Sequence, residues 1–480
     1  MVFSSLTFLW IFLPSVLLVN YLFSFIKNEN VKFWCKNANL LVASLVFYAW
    51  GGLWYLLVML ASIAGNYSFA LWINKAKTKE IPSKKSAKCG LVFSIIFNLG
   101  LLFYFKYTNF FVSIIESIAK GDFGLREVVL PIGISFFTFQ AMSYVIDVYN
   151  EKTVCQKNIV LLALYISLFP QLIAGPIVKY QEIEHQLKHR QESFDNFAVG
   201  IKRFVYGLAK KVIVANACGK VAATVFGSEI SVLGTGIAWL GLICYTIQIY
   251  FDFSGYSDMA IGLGRMFGFT FNENFDYPYT SLSITEFWRR WHISLSSWFK
   301  EYVYIPLGGN RKGKARTLLN LFIVFLLTGI WHGANYTFIL WGVFYGVIIV
   351  IERLFFKKYL DKNKVKPLNW LYTMLVVMLL WVFFRADSVE YAFAFIGKLF
   401  DFSKGSLYLP KVIDLWGWCV LASGIILCGG LQRVLAKPYN AIKTKTWVVC
   451  VDFALQICLL FVCIVLLMND TFNPFIYFQF

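Results

Sequence analysis

Charged side chains are scarce in this chain: they make up 15% of its 480 residues, whereas apolar residues make up 59%. In soluble globular domains about a quarter of the residues are charged, so the scarcity excludes a soluble fold of this length. Acidic residues are scarcer than basic ones, and the formal net charge is therefore +18. Basic residues of a membrane protein collect in its cytoplasmic loops, so we attribute the excess to membrane topology and not to nucleic-acid binding.

Several sequence signals of soluble enzymes are also missing. None of the ten cysteines forms a C-x-x-C pair or clusters with histidines, which predicts reduced, buried thiols and no metal site. Gly262-x-Gly264 lacks the third glycine of a phosphate-binding loop. No internal repeat is visible, which disfavours a transporter built from inverted repeats. No small-residue cleavage site follows the first apolar run, so we predict a retained span.

Long apolar runs fill most of the chain and predict an all-α polytopic membrane protein. We expect about 11–12 transmembrane helices plus re-entrant and interfacial helices. The predicted spans are 6–26, two within 39–74 that turn at Gly51-Gly52, 90–112, 128–148, 231–251, 317–331, 336–351, 368–385, 411–432 and 447–468. A broken or re-entrant element is expected at 158–177.

The basic loops orient these spans. The stretch 75–88 carries six lysines and one glutamate, which places it in the cytoplasm by the positive-inside rule. We expect a single membrane domain over 1–480, with a catalytic core near 128–352 and C-terminal helices over 368–468. Counting crossings from the basic loops puts the tail, 469–480, outside the cytoplasm.

The middle of the chain is less apolar. The charged stretch 179–195 is expected at the surface, and the basic helix over 197–215, which includes Lys211, is expected near the cytoplasmic face. Asp252 and Asp258 lie at or near membrane depth. Because buried charges need partners, we expect both carboxylates to bind nearby hydroxyl and guanidinium groups (Ser254, Ser257 and Arg265), with a proton relay as the alternative.

Residues 328–335 (TGIWHGAN) interrupt two apolar runs with small and polar side chains. An ionisable group at this depth is costly unless it faces a partner or a water-filled cavity. A histidine can also take a proton from an attacking hydroxyl at neutral pH. We therefore expect a pocket around His332, and the alternative is a buried histidine hydrogen-bonded between helices.

A second polar element follows Ser283. Ser283 and Glu286 have the spacing of a capping box, so a helix is expected to start there. Its aromatic residues fall on one face, while Arg289, His292 and Lys300 fall at helical spacing on another. This pattern predicts an amphipathic helix that lies in the membrane interface.

These stretches resemble the membrane-bound O-acyltransferase (MBOAT) family, and most closely its bacterial alginate and peptidoglycan O-acetyltransferases. The resemblance is carried by 331–335 (WHGAN) and 338–342 (FILWG). Further matching stretches are 1–5 (MVFSS), 131–136 (PIGISF), 171–176 (QLIAGP), 252–268 and 287–310.

The resemblance implies roles for two histidines. His332 stands where the family has its essential histidine, which makes it the expected catalytic base. His292 follows Trp-Arg-Arg-Trp, as a second histidine does in the family, and it is expected either to bind or position the donor or to order the aromatic residues. Asn335, and Asn310 with it, are candidates to polarise the acyl carbonyl.

The expected donor is a cytoplasmic acyl thioester, acetyl-CoA, with no bound cofactor. Its phosphates suit a set of cations that could equally bind anionic lipid headgroups: Arg289, Arg290, Lys300, Arg311 and Lys312. The last six residues, 475–480 (FIYFQF), resemble the terminus of small partners of the teichoic-acid D-alanylation system. Tyr477 is therefore a candidate acyl relay, with an aromatic anchor at the membrane interface as the alternative.

The resemblance also implies partners and a location. The acceptor is an exported polysaccharide, the final transfer requires an extracytoplasmic SGNH-type acetyltransferase, and the protein resides in the bacterial cytoplasmic (inner) membrane. Three alternatives stay open. They are a teichoic-acid D-alanyl transferase, a proton-coupled transporter or flippase that uses His332 and the two aspartates, and a structural export scaffold.

Overall fold

The computed structural model describes residues 1–356, 359–360, 365–469 and 472–476. Its regular secondary structure is helical over these residues, with no β-strand among them, which confirms the all-α prediction. The chain divides into two compact units, Met1–Phe204 with Met259–Asn272 and Val205–Asp258 with Glu273–Phe480.

The first unit holds the N-terminal helices. They are α1 (Leu13–Leu22), α2 (Glu29–Ala49), α3 (Leu53–Thr78), α4 (Lys84–Ala119), α5 (Ile134–Tyr149), α6 (Ile159–Ser167), α7 (Phe169–Leu172) and α8 (Tyr180–Lys188). Next in the chain are α9 (Phe194–Ala209), α10 (Asn216–Phe226) and α11 (Thr235–Met266), of which α9 and α11 contribute residues to both units.

The second unit holds α10 and the remaining helices. They are α12 (Ile284–Arg290), α13 (Ile293–Phe299), α14 (Gly313–His332), α15 (Tyr336–Ile351), α16 (Lys366–Arg385), α17 (Val389–Lys398), α18 (Leu409–Val412), α19 (Leu415–Leu427), α20 (Gly430–Ile442) and α21 (Thr446–Asn469). Short π-helical turns cover Phe8–Phe12, Lys210–Ala215, Lys300–Tyr304 and Glu352–Phe356, and 3₁₀ turns cover Phe23–Phe25, Ile230–Val232 and Pro278–Thr280.

Among the described residues, eight helices are long and apolar enough to cross a membrane, or nine if the bent pair α19 and α20 forms one more span. This is fewer than the 11–12 expected from the sequence. One of the predicted crossings, 128–148, falls on α5, which has 16 residues. Nearly all side chains of α5 are buried within the protein. An apolar run has the same composition whether it faces protein or lipid, so hydropathy overcounts buried helices.

Two predicted breaks in the first unit are confirmed. The chain turns between α2 and α3 at Gly51-Gly52, where Gly52 adopts a φ of 143° that disfavours any side chain. The element predicted at 158–177 is also broken, because α6 ends at Ser167 and the short α7 follows with a proline in its first turn.

The surface prediction for 179–195 is wrong in part. Helix α8 buries Tyr180, Ile183 and Leu187. After it, the Arg190 guanidinium donates to the buried side chain of Asn37 over 2.7 Å. A charged stretch can therefore line the protein interior when polar partners from distant helices meet it.

Candidate active site

His332 is the last residue of α14, and only 2% of it is exposed. The predicted break follows directly, with an extended backbone at Gly333. Asn335 then caps α15, because its side-chain oxygen accepts from the backbone N–H of Thr337 over 3.1 Å. The amide of Asn335 donates to the carbonyl of Asp387 over 3.1 Å. The side chain of Asn335 thus holds the turn beside His332.

Two glycines let α14 and α15 approach each other closely. A Cβ on Gly342 would lie 2.6 Å from the carbonyl oxygen of Phe325 and 3.0 Å from the Cα of Gly329. Real Cβ atoms do not come this near to backbone atoms, so only glycine fits at this crossing. The crossing lies one turn before His332 and therefore sets the position of the imidazole.

Aromatic rings surround His332. The ring centroids of Trp331, Trp341 and Phe384 lie 5.0, 5.1 and 5.1 Å from that of His332. Such rings exclude water and lower the local dielectric, which strengthens every electrostatic interaction at the imidazole. Exclusion of water in this way is typical of enzyme active sites.

The helix predicted over 284–300 is not continuous, and that prediction is corrected. Helix α12 ends at Arg290, Trp291 is extended, and His292 adopts a φ of 46° before α13 begins at Ile293. His292 is fully buried and does not share an exposed face with Arg289 and Lys300. The forward half of the predicted capping box is confirmed, since the Ser283 hydroxyl accepts from the backbone N–H of Glu286. The Glu286 carboxylate accepts from the backbone N–H of Leu282 in turn.

Asn274 holds the break in place. Its side-chain oxygen accepts from the backbone N–H and the hydroxyl of Ser294 over 3.2 and 2.9 Å, and it lies 3.1 Å from Nδ1 of His292. A carbonyl oxygen only accepts, so Nδ1 of His292 carries the hydrogen and Nε2 keeps its lone pair. Sequence reasoning missed Asn274, because nothing in its local pattern links it to a histidine 18 residues later.

His292 and His332 flank one indole ring. The centroid of Trp331 lies 6.4 Å from that of His292 and 5.0 Å from that of His332. The two histidines with expected roles therefore lie near the same ring, although the chain at His292 has a different course from the expected continuous helix.

Burial lowers the pKa of His292 to about 3, so this imidazole is neutral at physiological pH. Because the folded-state pKa lies below the ordinary value near ~6.5, protonation favours the unfolded state. The contribution of His292 to stability is complete above about pH 6.5 and falls by roughly 1.4 kcal/mol per pH unit below it, down to the folded-state pKa.

This shift makes stability depend on pH. We expect the melting temperature of the wild type in detergent to fall more steeply between pH 6.5 and pH 4 than that of His292→Asn, a neutral residue that tolerates positive φ. Parallel melting curves against pH would contradict the assignment. His185→Asn, which changes an exposed histidine of α8, is the control and should keep the wild-type slope.

A cavity of about 940 Å³ lies beside these residues, between α12, α13, α14 and α15. Its charged lining residues are Asp276, Glu286, Arg289, Arg290, Lys300, Glu352 and Arg353. Asn310 also lines it, but Arg311 does not. Three of the five predicted donor-binding cations therefore share this wall, whereas Arg311 and Lys312 do not line it.

Some of these charges already have partners. Arg290 forms ion pairs with Asp276 and Glu286, each at 2.9 Å. The buried Glu352 carboxylate accepts from the backbone N–H groups of Ile284 and Thr285, at the start of α12. These groups build the cavity wall.

Three other cations on the cavity wall form no such ion pairs or hydrogen bonds among the described residues. The side chains of Arg289, Lys300 and Arg353 form no hydrogen bond or ion pair with the part of the chain that the structure describes. They are exposed to the cavity and leave it a surplus of positive charge.

The cavity does not reach His332, which corrects the expectation of a pocket built directly around that residue. It reaches Thr328, one turn earlier on α14, and Trp288. The ring of Trp288 lies 5.6 Å from that of Trp341, which in turn packs on His332. One aromatic layer thus separates the cavity from the imidazole.

The remaining predicted residues lie elsewhere. Asp252 pairs with Lys211 at 2.7 Å and Asp258 pairs with Lys210 at 2.6 Å, so both carboxylates have lysine partners that the sequence did not indicate. Lys211 belongs to the helix expected near the cytoplasmic face, and its side chain is buried, with 3% exposed. Tyr477 lies outside the described residues.

Comparisons with known proteins agree with this architecture. Residues 156–389 match the family model of the MBOAT, membrane-bound O-acyltransferase, family. The chain is 44% identical over 453 residues to the probable alginate O-acetylase AlgI of Pseudomonas aeruginosa, covering 93% of this chain and 84% of that protein. It is 38% identical over 423 residues to the peptidoglycan O-acetyltransferase of Helicobacter pylori, covering 82% and 78%.

A more distant relative is the teichoic acid D-alanyltransferase of Bacillus subtilis, at 26% identity over 333 residues, covering 66% of this chain and 81% of that protein. The family match spans α12 to α15 with the cavity and both buried histidines. This chain belongs to the membrane-bound O-acyltransferase family and is a multi-pass membrane O-acyltransferase.

Proposed function

We propose that this protein takes an acetyl group from acetyl-CoA and passes it toward an exported bacterial polysaccharide. The observation that carries the proposal is the positively charged cavity that one aromatic layer separates from His332. Among the described residues, its free cations Arg289, Lys300 and Arg353 suit a donor that carries several phosphates. Its volume, about 940 Å³, lies at the upper end of the range of roughly 300–1,000 Å³ for small-molecule sites.

The acyl end of the donor faces the aromatic layer in this proposal. A hydroxyl oxygen attacks the thioester carbonyl carbon while its proton moves to the His332 imidazole. The C–S bond breaks, and the departing thiolate takes the proton from His332 and leaves as the free thiol. Because Trp341 lies between the cavity and His332, one ring of the layer must rotate for the two to meet.

Three further side chains support this step. His292 keeps Nε2 as an acceptor and packs on Trp331, and we assign it to positioning the site near the acyl group. Asn335 holds the turn after His332 with both ends of its amide. Asn310 lines the cavity and is the better placed of the two asparagines to polarise a carbonyl.

Tyr477 is the proposed first acceptor. Its phenolic oxygen attacks the thioester, which forms an acetyl-tyrosine ester, and a polysaccharide hydroxyl then attacks this ester. The tyrosine oxygen leaves and takes up the proton that the hydroxyl gives off. We propose that an extracytoplasmic SGNH-type acetyltransferase carries out the final transfer, with the protein in the bacterial cytoplasmic membrane. An aromatic anchor at the interface remains the other role for Tyr477.

The relatives favour acetyl over D-alanyl as the group transferred. The two O-acetyl-transferring relatives are 38% and 44% identical to this chain, and the D-alanyl-transferring relative is 26% identical. A proton-coupled transporter is disfavoured by Asp252 and Asp258, because each carboxylate already forms an ion pair with a lysine.

The test is transfer by the purified protein in lipid vesicles. Labelled acetyl-CoA and a labelled D-alanyl carrier protein are offered in separate reactions. We expect label on the protein, or on added polysaccharide with its partner transferase, from acetyl-CoA only. Label from the carrier protein alone would replace the proposal with D-alanyl transfer, and substrate movement without any transfer would replace it with transport.

The cavity cations give a separate prediction. Arg289→Gln and Lys300→Gln should each raise the KM for acetyl-CoA about tenfold, which corresponds to the loss of about 1.4 kcal/mol of phosphate binding, with kcat little changed. Initial rates in vesicles of neutral lipid measure both constants. Lys314→Gln, which removes an exposed cation outside the cavity, is the control. An unchanged KM in neutral lipid, with an effect in anionic lipid alone, would assign these cations to lipid headgroups.

A further inference from the structure

The segment Phe472 to Ile476, after α21, docks against α10 and α11 of its own unit. The side chains of Asn216 and Asn473 meet at 3.3 Å, and the ring of Phe475 lies 4.6 Å from that of Tyr256. No regular secondary structure satisfies the backbone of residues 472–475. Polar groups of such a backbone must find partners elsewhere when they are buried.

Lys211 and Asp252 supply those partners. The Lys211 ammonium donates to the carbonyl oxygen of Pro474, and Asp252 Oδ2 accepts from the backbone N–H of Ile476 over 2.9 Å. The ammonium also donates to the side-chain oxygen of Asn216 over 3.0 Å. Each charge of the pair therefore binds a backbone group of the C-terminal segment.

The energetics of the pair point to the same role. Lys211 and Asp252 are 3% and 1% exposed, and a pair this deeply buried loses several kcal/mol of hydration per ion. Their mutual attraction offsets that cost only when the remaining hydrogen-bonding capacity is also used. The backbone of the C-terminal segment uses it, so the ion pair and the segment stabilise each other.

We infer that Lys211 and Asp252 are positioning residues: they clamp the backbone of residues 474–476, and acyl transfer requires this clamp. Ile476 is bonded to Tyr477, so the clamp fixes the backbone that directly precedes Tyr477. This inference rests on the proposed function, in which Tyr477 accepts the acyl group. The clamp binds backbone atoms, and its action does not depend on the side chains of Pro474 or Ile476.

Two variants and one control test the clamp. Lys211→Met removes the cation but leaves the Asp252 carboxylate buried without its partner, which strongly destabilises the folded protein. The double variant Lys211→Met with Asp252→Leu replaces the pair by apolar side chains, which buried ion pairs often tolerate, and leaves the segment without its polar partners. Lys398→Met removes the partner of another ion pair of the same unit, Lys398–Asp401, and serves as the control.

Hydrogen exchange of the C-terminal peptide measures docking, and labelled acetyl transfer from acetyl-CoA measures function. In the double variant we expect the peptide to exchange at least tenfold faster. We also expect kcat to fall at least 100-fold while the KM for acetyl-CoA stays at the wild-type value. Lys211→Arg is a further variant that keeps a cation at this position. Its exchange rate and its kcat should lie between those of the double variant and those of the wild type. The control, Lys398→Met, should match the wild type in both measurements.

The two measurements separate the inference from the function on which it rests. Wild-type exchange in the folded double variant would overturn the clamp, and fast exchange with full transfer would overturn its role in catalysis. If the wild type transfers no acetyl group at all, the proposed function fails, whereas the exchange measurement still decides whether the clamp exists.

Discussion

His332→Gln should lower acetyl transfer from acetyl-CoA by about 10²–10⁴-fold while the protein stays folded in the membrane. A general base contributes about this much to a transfer reaction, and glutamine keeps the approximate shape of the side chain but cannot accept the proton. The rings of Trp331, Trp341 and Phe384 can pack on a glutamine, so the fold does not depend on the imidazole. Rates of labelled transfer in vesicles, with melting curves of both proteins, measure the two effects.

His185→Gln, which changes an exposed histidine of α8, is the matched control and should transfer at the wild-type rate. The pH dependence adds a second criterion. We expect the wild-type rate to rise with pH on the acid side of its profile, and we expect His332→Gln to lack this rise because it has lost the base. Full activity of His332→Gln would reduce this residue to a buried, packed histidine and would remove the base from the proposed mechanism.

Gly342→Leu should both destabilise the protein and abolish transfer. Its side chain would enter the crossing of α14 and α15, where even a Cβ meets the carbonyl oxygen of Phe325 at 2.6 Å. Overpacking of this kind costs about 1–3 kcal/mol when neighbouring side chains yield, and here the obstacle is backbone. The helices must separate, and His332 moves with the end of α14. A lower melting temperature together with a loss of transfer greater than tenfold is the expected result.

Gly397 provides the contrast, because nothing lies within 4 Å of the position that its Cβ would occupy. Gly397→Ala lies in α17, where alanine is the better helix former by about 0.5–1 kcal/mol, and it should leave both transfer and stability intact. A Gly342→Leu protein with the wild-type melting temperature and rate would show that the two helices are not held together at this glycine.

Local sequence patterns predicted the features that depend on neighbouring residues. The turn at Gly51-Gly52 and the break at 158–177 follow from glycine and proline, whose backbone preferences act over one or two residues. The break after His332 followed in the same way from 333–335. The N-cap of α12 followed from the spacing of Ser283 and Glu286. The family resemblance added the expected roles of the histidines, which composition could not.

Local sequence patterns failed to predict the structure where contacts with residues distant in the chain decide the course of the backbone or the burial of a side chain. Residues 284–300 have helical periodicity, but the helix is interrupted at His292. There the side-chain oxygen of Asn274 accepts a hydrogen bond from the backbone N–H of Ser294. The basic composition of 197–215 gave no sign that Lys211 is buried, where its ammonium pairs with Asp252, 41 residues later in the chain. Periodicity carries no information on such partners.

The sequence by itself determined that this is an all-helical membrane protein, where most of its long helices lie, and that the break at His332 is its most unusual polar feature. These properties depend on side-chain hydropathy and on backbone preferences, both of which act locally. Only the tertiary structure decided that the cavity stops one aromatic layer short of His332, and that Arg290 and Glu352 build its wall. Only the fold joins Lys211 and Asp252 to the C-terminal segment. Each of these features depends on which distant side chains meet, because a buried charge or backbone group takes the partner that packing brings to it.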